Sequence, residues 1–294
     1  MRIVFIGSVM FSRTVLDTLS SMPDVTIAGI VTRRDSPHGS DFVSLRSDAD
    51  ALAVPCLEAD DVDAAALTSW IGAHEPDAIF CIGWNRLLGS DVLAIPPRGV
   101  IGYHPAALPA NRGRHPIIWA LVLGLSETAS TFFRMDTGAD TGPIIDQEPV
   151  PIDDDDDAGT LYARLQELAP RQLHRFVPRL TDGTLNPQAQ DPASGNSWRK
   201  RTPDDGRIDW RMPAENIRNL VRALRPPYPG ATCRNGTAES IVWQVETVAG
   251  VAENLEPGKI LEASPTGIVI KCGLGALRII EHTFDPLPET GSYL

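Results

Sequence analysis

The sequence is poor in cysteine and in long apolar stretches, and each shortage excludes a class of protein. It has four cysteines in 294 residues, with no CxxC pair, which argues against a zinc site or a disulfide framework and predicts a reducing, cytoplasmic location. The longest apolar run, Ile117 to Leu125, is shorter than the about 20 residues that cross a bilayer. The first apolar run is interrupted by Gly7 and Ser8, which is not typical of a signal peptide.

Basic residues are scarce relative to acidic ones. The chain has 26 Lys and Arg against 38 Asp and Glu, a formal net charge of −12. A surface this acidic has no general attraction for nucleic acids or anionic membranes. One short basic cluster, Arg199–Lys200–Arg201, stands out against this background. The composition therefore predicts neither a membrane partner nor a nucleic-acid partner.

The first half of the chain alternates between strand and helix patterns. Because such alternation is typical of right-handed βαβ units, we expect an α/β fold with a Rossmann-like, mostly parallel sheet. The first loop contains only Gly7 of a GxGxxG fingerprint, so NAD binding is not predicted. The predicted strands are Ile3–Ile6, Val25–Val31, Ala78–Ile82 and Val100–Ile101, with helices after Gly7 and around Ala64–Ile71.

The second half has a different pattern. Residues 181–198 are rich in Asn, Gln, Pro and Gly and are predicted to be a linker between a domain of residues 1–180 and one of residues 199–294. The later domain opens with a predicted helix, Ala214–Leu224, and continues in short alternating segments. These predict a small antiparallel, OB-like β-barrel.

Five consecutive aspartates, Asp153 to Asp157, precede a predicted helix start near Leu161. Like charges in an unbroken row rarely converge on one cation, whereas carboxylates favour the positive N-terminal end of a helix. The sequence therefore predicts a solvated loop here and no metal site.

His104 stands at the end of a predicted parallel strand, where α/β folds place their binding sites. The loop that follows contains Arg112 and Arg114, which could meet an anionic ligand. A second loop, Met135–Pro143, has glycines for close backbone approach and carboxylates that could orient a histidine. Taken on their own, these residues support a structural His104 and a catalytic base equally well.

Two segments resemble a known enzyme family. HPAALPANRGRHPIIWAL (residues 104–121) and TFFRMDTGADTG (residues 131–142) are similar to the N10-formyltetrahydrofolate-dependent formyltransferases, and the similarity continues at 201–210, 220–224 and 227–231. That family includes methionyl-tRNA formyltransferase and the N-formyltransferases of nucleotide-linked amino sugars. The resemblance implies a metal-free enzyme that transfers a formyl group from N10-formyltetrahydrofolate to a primary amine.

The resemblance also implies roles for individual residues. His104 matches the family's base and Asp140 the carboxylate that stabilises the protonated histidine. The folate is expected to contact the segment after the predicted strand Ala78–Ile82, Arg114, and the loop from Asp136 to Asp140. For Leu87 and Leu88, ordinary packing in the core is an equally supported role. The expected folate-binding residues are Arg86, Leu87, Leu88, Arg114, Asp136, Thr137, Gly138, Ala139 and Asp140.

One position departs from the family pattern. Gly102 stands where the family has an asparagine that stabilises the developing oxyanion, and glycine has no side-chain donor. Asn85 and Asn111 are the nearest candidates to replace that donor. The alternatives are that His104 and the backbone of Gly102 share the task, or that the enzyme is slow or altered.

The acceptor amine is predicted from charge. The stretch Thr32–Asp41 lacks the basic insertion expected of a tRNA-binding member, and the chain is acidic overall, so a nucleotide-linked amino sugar is favoured over tRNA. The alternatives are a methionyl-tRNA formyltransferase with a basic C-terminal domain and a non-catalytic folate- or nucleotide-binding module. A homodimer is the default expectation for the assembly.

Overall fold

The computed structural model describes residues 1–35, 40–60, 62–236 and 238–294. The chain forms two compact units, each assembled from separate stretches. The first contains Met1–Pro116, Thr128–Pro151 and Ala163–Trp198, and the second Ile117–Glu127, Ile152–Tyr162 and Arg199–Leu294. The segment expected to be a linker thus packs within the first unit, and two stretches from the first 180 residues cluster with the second.

The first unit is built on a seven-stranded sheet with the order β3-β2-β1-β4-β5-β7-β8. Strands β1 to β5 pair in parallel, and β7 runs antiparallel to β5. The expectation of a mostly parallel α/β sheet is confirmed. The strands of the sheet are β1 (Arg2–Gly7), β2 (Thr26–Thr32), β3 (Cys56–Glu58), β4 (Ala78–Ile82), β5 (Val100–His104), β7 (Glu127–Arg134) and β8 (Ile144–Pro151). Two short strands, β6 (Arg112–Gly113) and β9 (Ser197–Trp198), pair in parallel outside this sheet.

Every residue of the central strand β4 is buried, as expected for an apolar strand in a parallel sheet that is covered on both faces. Helix α1 buries one apolar stripe, including Phe11, Val15 and Leu19. The helices in this part of the chain are α1 (Met10–Ser21), α2 (Arg46–Ala51), α3 (Ala64–Ala73), α4 (Ser90–Leu93), α5 (Pro116–Val122) and α6 (Ala158–Asp182).

Helix α6 begins at Ala158, three residues before the predicted start. The Asp157 carboxylate accepts a 3.0 Å hydrogen bond from the amide of Thr160, and so it caps the free amides of the first turn. The aspartate run therefore stands at a helix N-terminus. Across the described ranges, no group of three or more His, Cys, Asp or Glu side chains is arranged to hold a metal ion.

An aromatic cluster fixes the orientation of β5. Tyr103 stacks on Phe11 with ring centroids 4.1 Å apart and meets Phe132 edge-on at 4.9 Å, and Phe132 contacts Phe176 at 5.1 Å. Because successive side chains of a strand point to opposite faces, His104 projects away from this cluster. The aromatic core thereby determines which face of β5 presents the histidine.

The second unit contains a five-stranded antiparallel sheet with the order β10-β11-β14-β13-β12, as predicted. Its helix α7 (Ala214–Ala223) buries Ile217, Leu220 and Val221. The strands are β10 (Ala231–Asn235), β11 (Ala238–Val248), β12 (Ile260–Ser264), β13 (Gly267–Lys271) and β14 (Ala276–His282). Among the residues described, no helix is both long and apolar enough to span a membrane.

Candidate active site

His104 ends strand β5 and is almost completely buried, with 4% of its surface exposed. Its ring is hydrogen-bonded at Nε2 and faces a carboxylate at Nδ1. The Nε2 atom donates a 2.7 Å hydrogen bond to the carbonyl oxygen of Asn111, and Nδ1 lies 3.6 Å from Oδ2 of Asp140. The same carboxylate oxygen accepts a 2.9 Å hydrogen bond from the amide of Gly113. The structure therefore brings together the histidine and the carboxylate that the motifs singled out.

This arrangement has a chemical consequence. Donation from Nε2 to a carbonyl leaves Nδ1 as the lone-pair nitrogen of the neutral ring, facing Asp140. A proton accepted at Nδ1 creates an imidazolium beside a carboxylate, which stabilises that charge. The pair can thus act as a proton acceptor.

The loop after β5 is held against strand β9. Gly113 has φ +99, in the left-handed region that favours glycine, and a Cβ atom there would collide with the carbonyl of Trp198. The amide of Arg114 donates a 3.1 Å hydrogen bond to that same carbonyl. The guanidinium of Arg114 donates to the carbonyl of Asn85 at 3.2 Å, which connects this loop to the loop after β4.

Hydrogen bonds to the carboxylate of Asp136 fix the shape of the loop after β7. Oδ1 of Asp136 accepts hydrogen bonds from the amide of Gly138 at 3.0 Å and from the hydroxyl of Thr141 at 2.6 Å. Thr137 and Ala139 are exposed on the outside of this turn. Asp136 therefore shapes the loop that presents Asp140 and leaves the loop's outer residues accessible to a ligand.

The loop after β4 borders a cleft of about 650 Å³, lined by residues of α3, α4 and this loop, among them Arg86, Leu87 and Leu88. The two leucines differ sharply in exposure. Leu87 is 75% exposed, whereas Leu88 is 8% exposed and belongs to the hydrophobic core beneath the sheet. Of the two, Leu87 has a side chain free to cover a flat ring.

Apolar side chains fill the place where a residue larger than glycine would stand at position 102. A Cβ atom on Gly102 would lie 2.8 Å from Cγ of Met135 and 2.9 Å from Cζ of Phe133. Asn85 is exposed, and Asn111 contributes its peptide carbonyl to His104. The atoms of Met135 and Phe133 nearest to that Cβ position are all carbons, and they offer no hydrogen-bond donor.

Residues 1–177 match the family model described as formyl transferase, and residues 200–286 match the model of the formyl transferase C-terminal domain. The chain belongs to the formyl transferase family. The resemblance carried by the two motif segments is confirmed, and the protein is a formyltransferase.

Solved structures with the same fold include two formyltransferases and HypX. The N-formyltransferase from Helicobacter canadensis, in complex with folinic acid and dTDP-3-aminofucose, has 16% identity and a TM-score of 0.68, over 96% of this chain and 99% of its own. Methionyl-tRNA formyltransferase from Clostridium thermocellum has 15% identity and a TM-score of 0.63, over 85% and 95%. HypX from Aquifex aeolicus has 18% identity and a TM-score of 0.64, over 95% of this chain and 45% of its own. At identities of 15% to 18%, these similarities show that the chain shares the fold of the three proteins.

Some residues near His104 were not expected from the sequence. The side chain of Asn196 accepts a 2.7 Å hydrogen bond from the amide of Asn111, and the side chain of Gln190 bonds to both loops beside the histidine. Both lie in the stretch whose composition predicts a linker. Their only sequence signal is the unusual density of side-chain amides there.

Proposed function

We propose that this formyltransferase transfers a formyl group from N10-formyltetrahydrofolate to the primary amine of a nucleotide-linked amino sugar. The observation that carries the proposal is the pair formed by the buried His104, at the carboxyl end of β5, and the partly buried Asp140, with Nδ1 and Oδ2 3.6 Å apart. The chain's place in the formyl transferase family supplies the reaction class.

Residues of the loops after β4, β5 and β7 suit a folate donor, which when bound supplies an electrophilic formyl carbon. Leu87 presents an exposed apolar surface for a flat ring, and Arg86 borders the same cleft with a polar edge. The exposed turn at Thr137 and Ala139 offers backbone groups to the ring's periphery. The guanidinium of Arg114 connects the loop after β5 to the loop after β4, and it suits an anionic group of the donor.

In the proposed reaction, His104 accepts the proton that the amine loses as its nitrogen attacks the formyl carbon. The bond between that carbon and N10 of the folate then breaks, and His104 passes the proton to N10, so that tetrahydrofolate leaves and the neutral histidine is restored. The proton is taken at Nδ1, the lone-pair nitrogen of the neutral ring. Asp140 then stabilises the imidazolium, while the Nε2 hydrogen bond to Asn111 keeps the ring from turning. The apolar side chains of Met135 and Phe133 lie against Gly102, on the same face of β5 as His104.

Charge pairing in the second unit favours a small acceptor over tRNA. A basic face for tRNA would have to come from the arginines between positions 199 and 225, yet most of these are neutralised by carboxylates. Since phosphate contacts need unpaired Lys and Arg in number, this surface is a poor match for tRNA. The pairs are Arg199–Asp205, Arg207–Asp204, Arg211–Asp209, Arg218–Glu215 and Arg225–Asp157.

The arginines that follow the second strand are also paired with carboxylates. Arg33 pairs with Asp60 at 3.0 Å and Arg34 with Glu58 at 3.1 Å. Residues 36–39 of that stretch lie outside the described residues. The Helicobacter canadensis neighbour, in complex with a dTDP-linked amino sugar, supports the sugar acceptor. The methionyl-tRNA formyltransferase neighbour makes tRNA the second candidate.

The test is an acceptor panel. The purified protein is mixed with 10-formyltetrahydrofolate and either a set of nucleotide-linked amino sugars or charged initiator tRNA, and formylated product is measured. We expect turnover with an amino sugar nucleotide and none with tRNA. Tight tRNA binding that weakens steeply with salt, together with formylation of the charged tRNA, would establish the second candidate instead.

A further inference from the structure

Gln190 lies between the two stretches that match the family models, and its side chain contacts both loops next to His104. Its Nε2 atom donates hydrogen bonds to the carbonyl oxygens of Asp140, at 2.8 Å, and Gly142, at 2.7 Å. Its Oε1 atom accepts from Nε and Nη2 of Arg112, at 3.0 and 2.8 Å. Both donor positions and both acceptor positions of the amide are therefore used.

These four bonds hold the carboxylate of the pair from two directions. Arg112 immediately precedes Gly113, whose amide donates to Oδ2 of Asp140. Gln190 thus secures the backbone of Asp140 on one side and, through Arg112, the donor to its carboxylate on the other. A ring of contacts links Gln190, Arg112, Gly113 and Asp140, and it closes within the first unit.

The backbone at Asp140 needs such support. Its φ is +57, in the left-handed region that residues with a Cβ rarely adopt. A conformation of this kind persists when surrounding contacts determine it. The hydrogen bonds from Gln190 to the carbonyls of Asp140 and Gly142 supply such contacts. Without them, the loop is free to relax and to carry the carboxylate away from His104.

We propose that Gln190 is a positioning residue for formyl transfer, one that acts through Asp140 by fixing the carboxylate at its distance from His104. This inference rests on the proposed function, because it gives Gln190 a role only if the His104–Asp140 pair performs the proton transfer. Gln190 itself touches no reacting atom. Its effect should appear in kcat rather than in the KM for the acceptor.

The test compares Gln190→Ala and Gln190→Glu with the matched control Gln188→Ala. Gln188 is exposed, and its bonds to Ile144 run through the backbone, so removing its side chain leaves them intact. Gln190→Glu keeps an acceptor for Arg112 but has no donor for the two carbonyls. We expect both Gln190 variants to lower kcat by about 10- to 100-fold, the effect of a displacement of roughly 1 Å. KM should change little, and Gln188→Ala should match the wild type.

A double variant separates positioning from general damage to the fold. If Gln190 acts through Asp140, adding Gln190→Ala to Asp140→Asn should lower kcat no further. Multiplicative losses in the double variant would overturn the inference, as would full activity of Gln190→Glu with a native near-ultraviolet circular dichroism spectrum. Should Asp140→Asn and His104→Asn both remain fully active in this assay, the proposed function itself fails.

Discussion

The backbone carbonyl of Asn111 accepts a 2.7 Å hydrogen bond from Nε2 of His104, and this contact orients Nδ1 toward Asp140. Asn111 has φ +63, a left-handed conformation that asparagine tolerates better than most residues. The backbone amide of Asn111 in turn donates a hydrogen bond to the side-chain oxygen of Asn196. A backbone carbonyl therefore sets the tautomer of the neutral histidine, with the proton on Nε2 and the lone pair on Nδ1.

Replacing the histidine should remove catalysis. We expect His104→Asn to lower kcat by at least about 100-fold, the lower end of what a general base contributes. His174, exposed on α6, is the matched control, and His174→Asn should leave formyl transfer unchanged. Formyl transfer and near-ultraviolet circular dichroism are measured on both variants. Near-normal turnover of His104→Asn would show that another group accepts the proton.

A side chain at position 102 should damage the site unless room is made for it. We expect Gly102→Asn to lower kcat, because its Cβ alone would lie 2.8 Å from Cγ of Met135 and 2.9 Å from Cζ of Phe133. Combining it with Met135→Ala relieves the closer contact. Higher activity in the double variant than in Met135→Ala alone would indicate that the oxyanion lacks a donor, worth about 2.7–4 kcal/mol when supplied.

Alanine at Asn85 and at Asn111 tests the remaining possibility for that donor. Asn111 interacts with His104 through its carbonyl, which the Asn111→Ala variant retains. A fall in kcat for Asn85→Ala would therefore point to its lost side-chain amide. At Asn111, where φ is +63, such a fall indicates the lost amide only if Asn111→Gly, which accepts this backbone conformation, shows it too. Unchanged kcat in both would exclude these two amides as the replacement.

The two adjacent leucines should respond differently to truncation. Leu87→Ala should weaken folate binding and leave stability unchanged, since 75% of the Leu87 surface is exposed. Leu88→Ala should lower the free energy of unfolding by about 2–5 kcal/mol, the usual cost of truncating a core leucine. Urea unfolding and folate titration of the pair check both statements. Equal folate affinity in wild type and Leu87→Ala would remove Leu87 from the donor site.

Stability should depend on pH at Asp205. The Arg199 guanidinium and the amide of Thr202 hold the pKa of the Asp205 carboxyl well below its usual range. A lowered pKa contributes stability above the unfolded value of about 3.9, and this contribution is lost as pH falls toward the folded value. Asp205→Asn should therefore lower the urea midpoint at pH 7 and have a smaller effect at pH 3.

Asp204 is the matched control for that experiment. Its side chain is 81% exposed and pairs with Arg207 at 3.2 Å, so Asp204→Asn should leave the midpoint unchanged at either pH. A midpoint for Asp205→Asn that is lowered equally at pH 7 and pH 3 would mean that the charge of this carboxylate contributes nothing.

Much of the first unit could be predicted because its strands are short apolar runs that stay buried on both faces. Ala78–Ile82 is a strand with the predicted bounds, and the run from Val100 ends in a strand at His104. Strand β7 is not among the predicted strands, and it differs from them in burying the polar side chains of Thr128, Ser130 and Thr131. Its neighbour β8 has mixed burial and shows no clear alternation.

The surroundings of His104 were less predictable. Composition cannot distinguish a flexible polar stretch from one whose side-chain amides bond to neighbouring loops, as those of Gln190 and Asn196 do. Nor could the sequence assign different burial to Leu87 and Leu88, which share a residue type and a loop. Both distinctions depend on which groups meet in three dimensions.

The positions of Gln190 and Asn196 have a consequence for how the chain can be divided. The family models match residues 1–177 and 200–286, so both side chains fall in the interval that neither model covers. A polypeptide shortened to the first match would retain His104 and Asp140 and lose the side chains that bond to their loops. A fragment ending at Trp198 would keep both side chains, but it would also contain Ile117–Glu127 and Ile152–Tyr162 without the remainder of the second unit, to which they belong. For this formyltransferase, the full chain is therefore the form to assay.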